Sequence, residues 1–415
     1  MDKNNRKGVQ WLNWRLLLFP FLVSLIEGFN ITGFLSLLPF LREEFALTLV
    51  ETGLYSTFSL ITATMISVYS GRIVDGLGAK RGMVLGVISL GLLMSLHSPA
   101  PAFQLILILA LMLGLGCSLL IPAVNKVVLE RVPLKNRALA MGIVSSAYGI
   151  GGLLGAGLLP LWAEAMGWRM TVLLLGFLTV VIGVMVHFLF HEKEDPEKET
   201  ESQKSSLPSF KENILSMLKN RRLLWICALS SSFGMIAGAV PPHFAIFMHQ
   251  DLNVSRVMAG LGFSSLQTGA LLSGIVWGLI SDRFFAGNRR KSLFMSGFSS
   301  SLMLLIFAFL VYIFQLPLRF IFPLSFLLGF SLWGWWALCF VMVGELTEEK
   351  FSGLATGFIL VFIRLGMGIS PPVFGFIADL RGSYDYSWVI FGITGIAFTT
   401  IFYLLATFDD KRQTI

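Results

Sequence analysis

The chain repeats itself at long range, and the repeated piece has the character of a membrane-helix end. GRIVDGLGAKR (Gly71–Arg81) and GLISDRFFAGNRRK (Gly278–Lys291) each follow a long apolar run, open with Gly-x-x-x-Asp and close in a basic cluster. Asp75 and Asp282 stand 207 residues apart. Glu44 and Asp251, the acids that close the first helix of each half, keep the same offset. VVLERVPLKNRALAMG (Val127–Gly142) echoes VMVGELTEEKFSGLATG (Val341–Gly357) at an offset of 215, matching Glu130 with Glu345 and Gly142 with Gly357. Repeats at a fixed long offset mean a duplicated architecture. In a membrane chain, that is how transporters are built from two halves.

The membrane setting follows from composition. Of 415 residues, 55% are hydrophobic and 13% charged, against about 25% charged in soluble domains. Twelve apolar stretches of about 20 residues or more can be drawn, at 14–40, 50–74, 82–99, 102–129, 137–163, 168–190, 222–247, 255–281, 291–313, 316–344, 352–378 and 386–407. The predicted fold is an all-α integral membrane protein of twelve transmembrane helices in two pseudo-symmetric six-helix bundles. These cover residues 1–191 and 222–415, joined by a polar linker at 192–221. The stretch Glu192–Arg222 holds seven acids and seven bases, with a short amphipathic piece near Phe210–Leu218. Twenty-four Lys/Arg fall in segments on the side of the termini and linker. Five (Arg42, Arg169, Arg256, Arg319, Arg381) fall on the other. Basic residues stay inside, so both termini and the linker are expected to be cytoplasmic and the location a cell (inner) membrane. The net charge of +7 therefore needs no nucleic-acid partner. Cys117, Cys227 and Cys339 are too dispersed for a disulfide framework or zinc site, and no metal or cofactor is expected. No cluster has enzyme geometry.

The motif has its own physics. Gly71 and Gly278 let a neighbouring helix approach closely. Asp75 and Asp282 end their helices, where the macrodipole disfavours an anion, so each calls for a cationic or helix-N-terminal partner. The pattern resembles the loop signature of the major facilitator superfamily, Gly-x-x-x-Asp-Arg-x-Gly-Arg-Arg. The second copy keeps Gly278, Asp282, Arg283, Gly287, Arg289 and Arg290. The first keeps Gly71, Asp75, Gly78, Lys80 and Arg81, with Gly76 and Ala79 where arginines are usual. The resemblance implies alternating access around a central cavity lined by helices 1, 4, 7 and 10. It also implies a cytoplasmic lock in which Asp75 pairs with Arg131, beside Glu130, when that side is closed. Among Trp333, Trp335 and Trp336 of helix 10, Trp335 is the expected substrate contact. Lys126 after Asn125 in helix 4 is similar to the organic-anion branches, and HFAIFMHQDLNVSRVMAG resembles the monocarboxylate branch.

Ionisable groups inside spans are costly and mark function. Glu27 is eleven residues past Leu16, roughly 16 Å deep at about 1.5 Å per residue. Arg364 is thirteen past Phe351, roughly 20 Å deep by the same rise. Glu27 is either a polar helix–helix contact or the proton-exchanging group, with His243 as a second candidate. Arg364 is either the ion partner of Glu27 or an anion clamp, since guanidinium matches a carboxylate bidentately. Lys126 either snorkels to headgroups or joins Arg364 in a cavity of net positive charge. Asn30, Asn125 and Gln267 complete the candidate substrate contacts. The expectation is a secondary transporter that moves a small, monocarboxylate-like organic anion with protons, as a monomer in the lipid bilayer. The alternatives are an exporter of hydrophobic compounds and a transporter-like ligand sensor.

Overall fold

The computed structural model describes residues 14–133, 136–191, 217–286, 288–346 and 352–413. Nearly all of the linker, the Gly287 of the second motif, and Ser202 lie outside the described residues. Twelve long helical segments run in order: α1 (Trp14–Phe34), α2 (Leu49–Leu77), α3 (Ala79–His97), α4 (Phe103–Arg131), α5 (Arg137–Met166), α6 (Trp168–Leu189), α7 (Arg221–Gln250), α8 (Arg256–Arg283), α9 (Arg289–Ala308), α10 (Leu318–Leu332 and Trp335–Leu346), α11 (Ser352–Arg381) and α12 (Asp385–Gln413). Eleven spans among the described residues are long and apolar enough to cross a membrane. The remaining helix, α2, has 29 residues, or roughly 43 Å at about 1.5 Å per residue, more than the ~30 Å hydrocarbon core.

Local sequence sets the ends. Thr48 caps α2 in a capping box, its side chain accepting from the Glu51 N–H while Glu51 accepts from the Thr48 N–H. Ser255 caps α8 at the equivalent place, accepting from the Met258 N–H. Gly167 and Gly382, equivalent by the 215 offset, make the turns after α5 and α11 at φ 82° and 69°. Those angles suit glycine because it has no Cβ. Two details depart from straight spans. Helix α1 passes through a 3-10 turn (Leu35–Leu37) into a short helix, Leu38–Glu44, that has Pro39 in its first turn. Helix α10 unwinds at Trp333–Gly334, and a Cβ on Gly334 would lie 2.1 Å from the Trp277 ring of α8. The indole of α8 occupies the space that a side chain would need.

The packing repeats as the sequence does. In the first half α1 packs on α5, α2 on α4, and α3 on α6; in the second, α7 packs on α11, α8 on α10, and α9 on α12. The α1–α5 seam is backbone against backbone: a Cβ on Gly28 would sit 1.9 Å from the Tyr148 carbonyl oxygen. The repeated acids have matching jobs. Glu44 accepts from the Trp168 indole and from Arg169 Nη2 at 2.6 Å, tying down the start of α6. Asp251 accepts from the Tyr312 hydroxyl, from Ser383 Oγ at 3.1 Å and from the Tyr384 N–H at 3.0 Å, tying down the start of α12. The halves meet along two equivalent seams, α2 on α11 and α8 on α5.

Candidate functional site

The two seams bound the gap between the halves, and Arg364 lies on one of them, α2 against α11. Glu27 of α1 is 6% exposed. It has no hydrogen-bond partner among the described residues, and its oxygens are not among the sealed, unpartnered atoms. They therefore keep access to the space between the helices. Arg364 of α11 is half-buried and makes one hydrogen bond among the described residues, from Nη1 to the Ala63 carbonyl of α2 at 2.9 Å. A guanidinium has five N–H donors, so most of this one remains available. Glu27 and Arg364 act on each other electrostatically without forming an ion pair, and Tyr148 of α5 and Cys117 of α4 lie within the same field. The Tyr148 hydroxyl meets Thr32 Oγ1 at 3.2 Å. Asn125 is half-buried in α4, next to Lys126. Tyr148, Thr32 and Cys117 were not singled out by sequence reasoning. Tyr148 lies within the glycine-rich stretch of α5, where packing masks any polar signal.

Several expected contacts turn elsewhere. Asn30 is fully buried between α1 and α6, donating to the Ile26 carbonyl and to Thr179 Oγ1, both at 2.8 Å. It faces the interior of its own half and not the gap. Trp335 is 1% exposed. Its indole donates to the Leu332 carbonyl at 2.7 Å and its ring packs on Phe233 and Trp336. The loosened helix at Trp333–Gly334 leaves that carbonyl for the indole, so Trp335 belongs to the core of the second half. Gln267 is wedged between halves, its Nε2 3.2 Å from where a Gly152 Cβ would be and its Oε1 buried without a partner.

His243 is fully buried. The Pro371 carbonyl can only accept, so Nε2–H donates to it at 2.8 Å, and Nδ1 receives the Tyr384 hydroxyl at 3.2 Å. Burial pushes the Tyr384 phenol well above its usual range, so it stays a hydroxyl. With both ring nitrogens committed, His243 holds α7 against α11 and the turn before α12. It is not placed as a proton carrier.

The motif residues lie at the basic end of the gap. Lys126 Nζ meets Asp75 Oδ1 at 3.4 Å and the Asp75 carbonyl at 3.3 Å. Its charge is thus met by a carboxylate on α2, which removes it from the tally of free cavity bases. Arg131 donates to the His191 carbonyl at 2.7 Å and lies over the Phe190 ring, so the Asp75–Arg131 pair is not made in this conformation. Asp282 pairs with Arg289 at 2.5 Å, while Arg283 and Glu130 are exposed. Apart from the adjoining residues and backbone of its own helix, no described atom lies within 4 Å of a Cβ placed on Gly71, Gly142, Gly278 or Gly357. The opposite, far end is shut: Thr57 Oγ1 donates to the Gly368 carbonyl at 2.6 Å, Ser264 Oγ to the Leu153 carbonyl at 3.0 Å, and Gly53 abuts the Pro371 backbone. Among the described residues, the contacts between the halves named here gather at the far end, and none is made at these four glycines of the basic end.

The family model described as Major Facilitator Superfamily matches residues 20–249 and 230–414. The chain belongs to the Major Facilitator Superfamily. It is therefore a membrane transporter by family and not an enzyme. This superfamily member is 24% identical over 405 residues to the cis,cis-muconate transport protein of Acinetobacter baylyi, covering 94% of each chain. It is 23% identical over 407 residues to the sialic acid transporter NanX of Escherichia coli, covering 95% of this chain and 94% of that one. A multi-drug resistance efflux pump homologue of Lactococcus lactis matches at 24% identity over 94% of this chain and 90% of its own. Identity at this level does not choose a cargo. A bacterial homologue of the human lysosomal transporter Spinster, crystallised inward-facing, superposes with a TM-score of 0.74 at 15% identity, covering 96% of this chain and 98% of that one. That likeness concerns the fold alone.

Proposed function

We propose that this superfamily member moves a small organic anion, monocarboxylate-like, together with protons by alternating access. The basic end and both termini are taken to face the cytoplasm, which makes the present conformation inward-open. The carrying observation is Arg364: a cation roughly midway through the bilayer whose one hydrogen bond among the described residues goes to a neutral carbonyl. A carboxylate fits those donors, and burial makes a charge-assisted pair stronger than in water. Relatives named for muconate and sialic acid support the same cargo class.

Glu27 supplies the coupling in this reading. It shares the electrostatic field of Arg364, so anion binding at Arg364 changes how readily Glu27 takes a proton, and the two events are linked reciprocally. A single chain contains both halves of the pathway, and the functional unit is taken to be the monomer. The test is purified protein in liposomes. Uptake of a radiolabelled carboxylate driven by an imposed pH gradient supports the reading. Extrusion of an uncharged hydrophobic dye with no carboxylate uptake favours the exporter. Ligand-induced stabilisation without any flux favours the sensor.

A further inference from the structure

The closed far end is built from two contacts that are copies of each other. Helices α5 and α11 end at equivalent residues, Met166 and Arg381, and each carries an acid two residues earlier, Glu164 and Asp379. Helices α2 and α8 begin at equivalent residues, Leu49 and Arg256, each behind a hydroxyl N-cap, Thr48 and Ser255. Across one seam, the Asp379 carboxylate accepts from both leading amides of α2, Leu49 N–H to Oδ1 at 2.9 Å and Val50 N–H to Oδ2 at 3.0 Å. Across the other, Glu164 Oε1 takes Arg256 Nη1 at 3.5 Å, and Glu43 joins it on the same guanidinium. We propose that Asp379 and Glu164 are paired latches that hold the far end shut by gripping the N-termini of α2 and α8 in the opposite half.

The two latches differ in strength for a physical reason. Asp379 binds main-chain amides at the positive end of a helix dipole, where an anion is favoured and the donors are fixed in space. Its short side chain has little rotamer freedom to lose. Glu164 reaches a long, partly exposed arginine at the limit of hydrogen-bond distance and shares it with Glu43, so its grip is weaker and divided. Opening the far end requires the α2 amides to leave Asp379, and nothing else in the described structure offers them a carboxylate. Asp379 is therefore the main positioning residue of the pair, acting through α2 on which side of the molecule is open. The inference does not depend on which cargo is carried.

The test reads conformation with no cargo present. Spin labels at Leu161→Cys and Phe376→Cys, equivalent lipid-facing positions one turn from the two acids, report the far-end separation by pulsed electron resonance in nanodiscs. Asp379→Ala is expected to raise the ratio of long to short separations by roughly tenfold, equivalent to about 1.4 kcal/mol. Asp379→Asn keeps one acceptor and should give a smaller rise. Asp379→Glu should restore most of the short population, and Glu164→Gln should shift it least. An unchanged distribution in both Asp379→Ala and Asp379→Asn overturns the latch, whether or not melting temperature falls. Because no anion is added, that failure leaves the cargo reading untouched, and a wrong cargo leaves the latch standing.

Discussion

Arg364 of α11 donates to the main-chain carbonyl of Ala63 on α2 at 2.9 Å, so a full positive charge on one half is met by a neutral dipole on the other. The arrangement satisfies one donor and, among the described residues, leaves the charge without an ion pair. That is the condition under which an incoming anion gains most.

Arg364→Gln is expected to weaken carboxylate binding by roughly tenfold to a hundredfold, the range set by about 1.5–3 kcal/mol for a hydrogen bond to a charged group. Arg364→Lys should recover only part, because ammonium lacks the planar fork. Isothermal titration with a panel of carboxylates checks both. A variant Arg364→Gln with unchanged affinity would remove the clamp.

Lys126→Gln should behave differently. Lys126 is engaged with Asp75 at 3.4 Å, so its loss should change turnover more than anion affinity, and Asp75→Asn should do the same. The two substitutions share one contact, and their combined effect on turnover should fall short of the sum. Counterflow rates of the single and double variants make the comparison; strict additivity would show that the pair is idle.

Glu27→Gln imitates the protonated acid. Exchange of labelled for unlabelled cargo should persist, while accumulation driven by a pH gradient is lost. Proteoliposome counterflow run beside gradient-driven uptake separates the two. Survival of both would leave Glu27 with a packing role only.

The seam between α1 and α5 has no room to give. A Cβ on Gly28 would stand 1.9 Å from the Tyr148 carbonyl oxygen, and backbone cannot move aside as a side chain can. Gly28→Ala should lower stability by about 1–3 kcal/mol, the usual cost of overpacking. It should also reduce the yield of folded protein, read by thermal melts in detergent.

Orientation has its own check. Cysteines introduced at Lys80 and Arg381 should label from opposite sides of intact cells, Arg381→Cys from outside. Labelling of Lys80→Cys by an impermeant reagent applied outside would reverse the assignment of the two ends.

The number and order of the helices were legible because apolar length alone specifies a span, and the duplicated acids Glu44 and Asp251 marked equivalent corners before any contact was seen. Which way a side chain faces was much harder to read. A span that is apolar all round has no amphipathic face to orient it, so Asn30, Trp335 and Lys126 could be placed at a depth but not on a side. The unwinding of α10 at Trp333–Gly334 carries no proline, and the Trp277 ring that packs where a Gly334 side chain would be sits 57 residues away in sequence. In the sequence, Asp379 carries no signal beyond a charge near a helix end. Its role depends on the first turn of α2, more than 300 residues earlier.

Gly71, Gly142, Gly278 and Gly357 touch nothing among the described residues where a methyl group would be, although glycine costs a helix up to about 1 kcal/mol relative to alanine. They pair off by the same offsets as the two seams, Gly71 with Gly278 and Gly142 with Gly357. These vacancies are the mould of a shape that the molecule is not wearing. If α2 meets α11, and α8 meets α5, at the basic end in the outward-open form, each missing methyl is clearance for that meeting. An alanine scan of the four would then leave the present form unharmed, or even steadier, while closing the door on the other. One static shape would thus hold, in negative relief, a partial portrait of its counterpart.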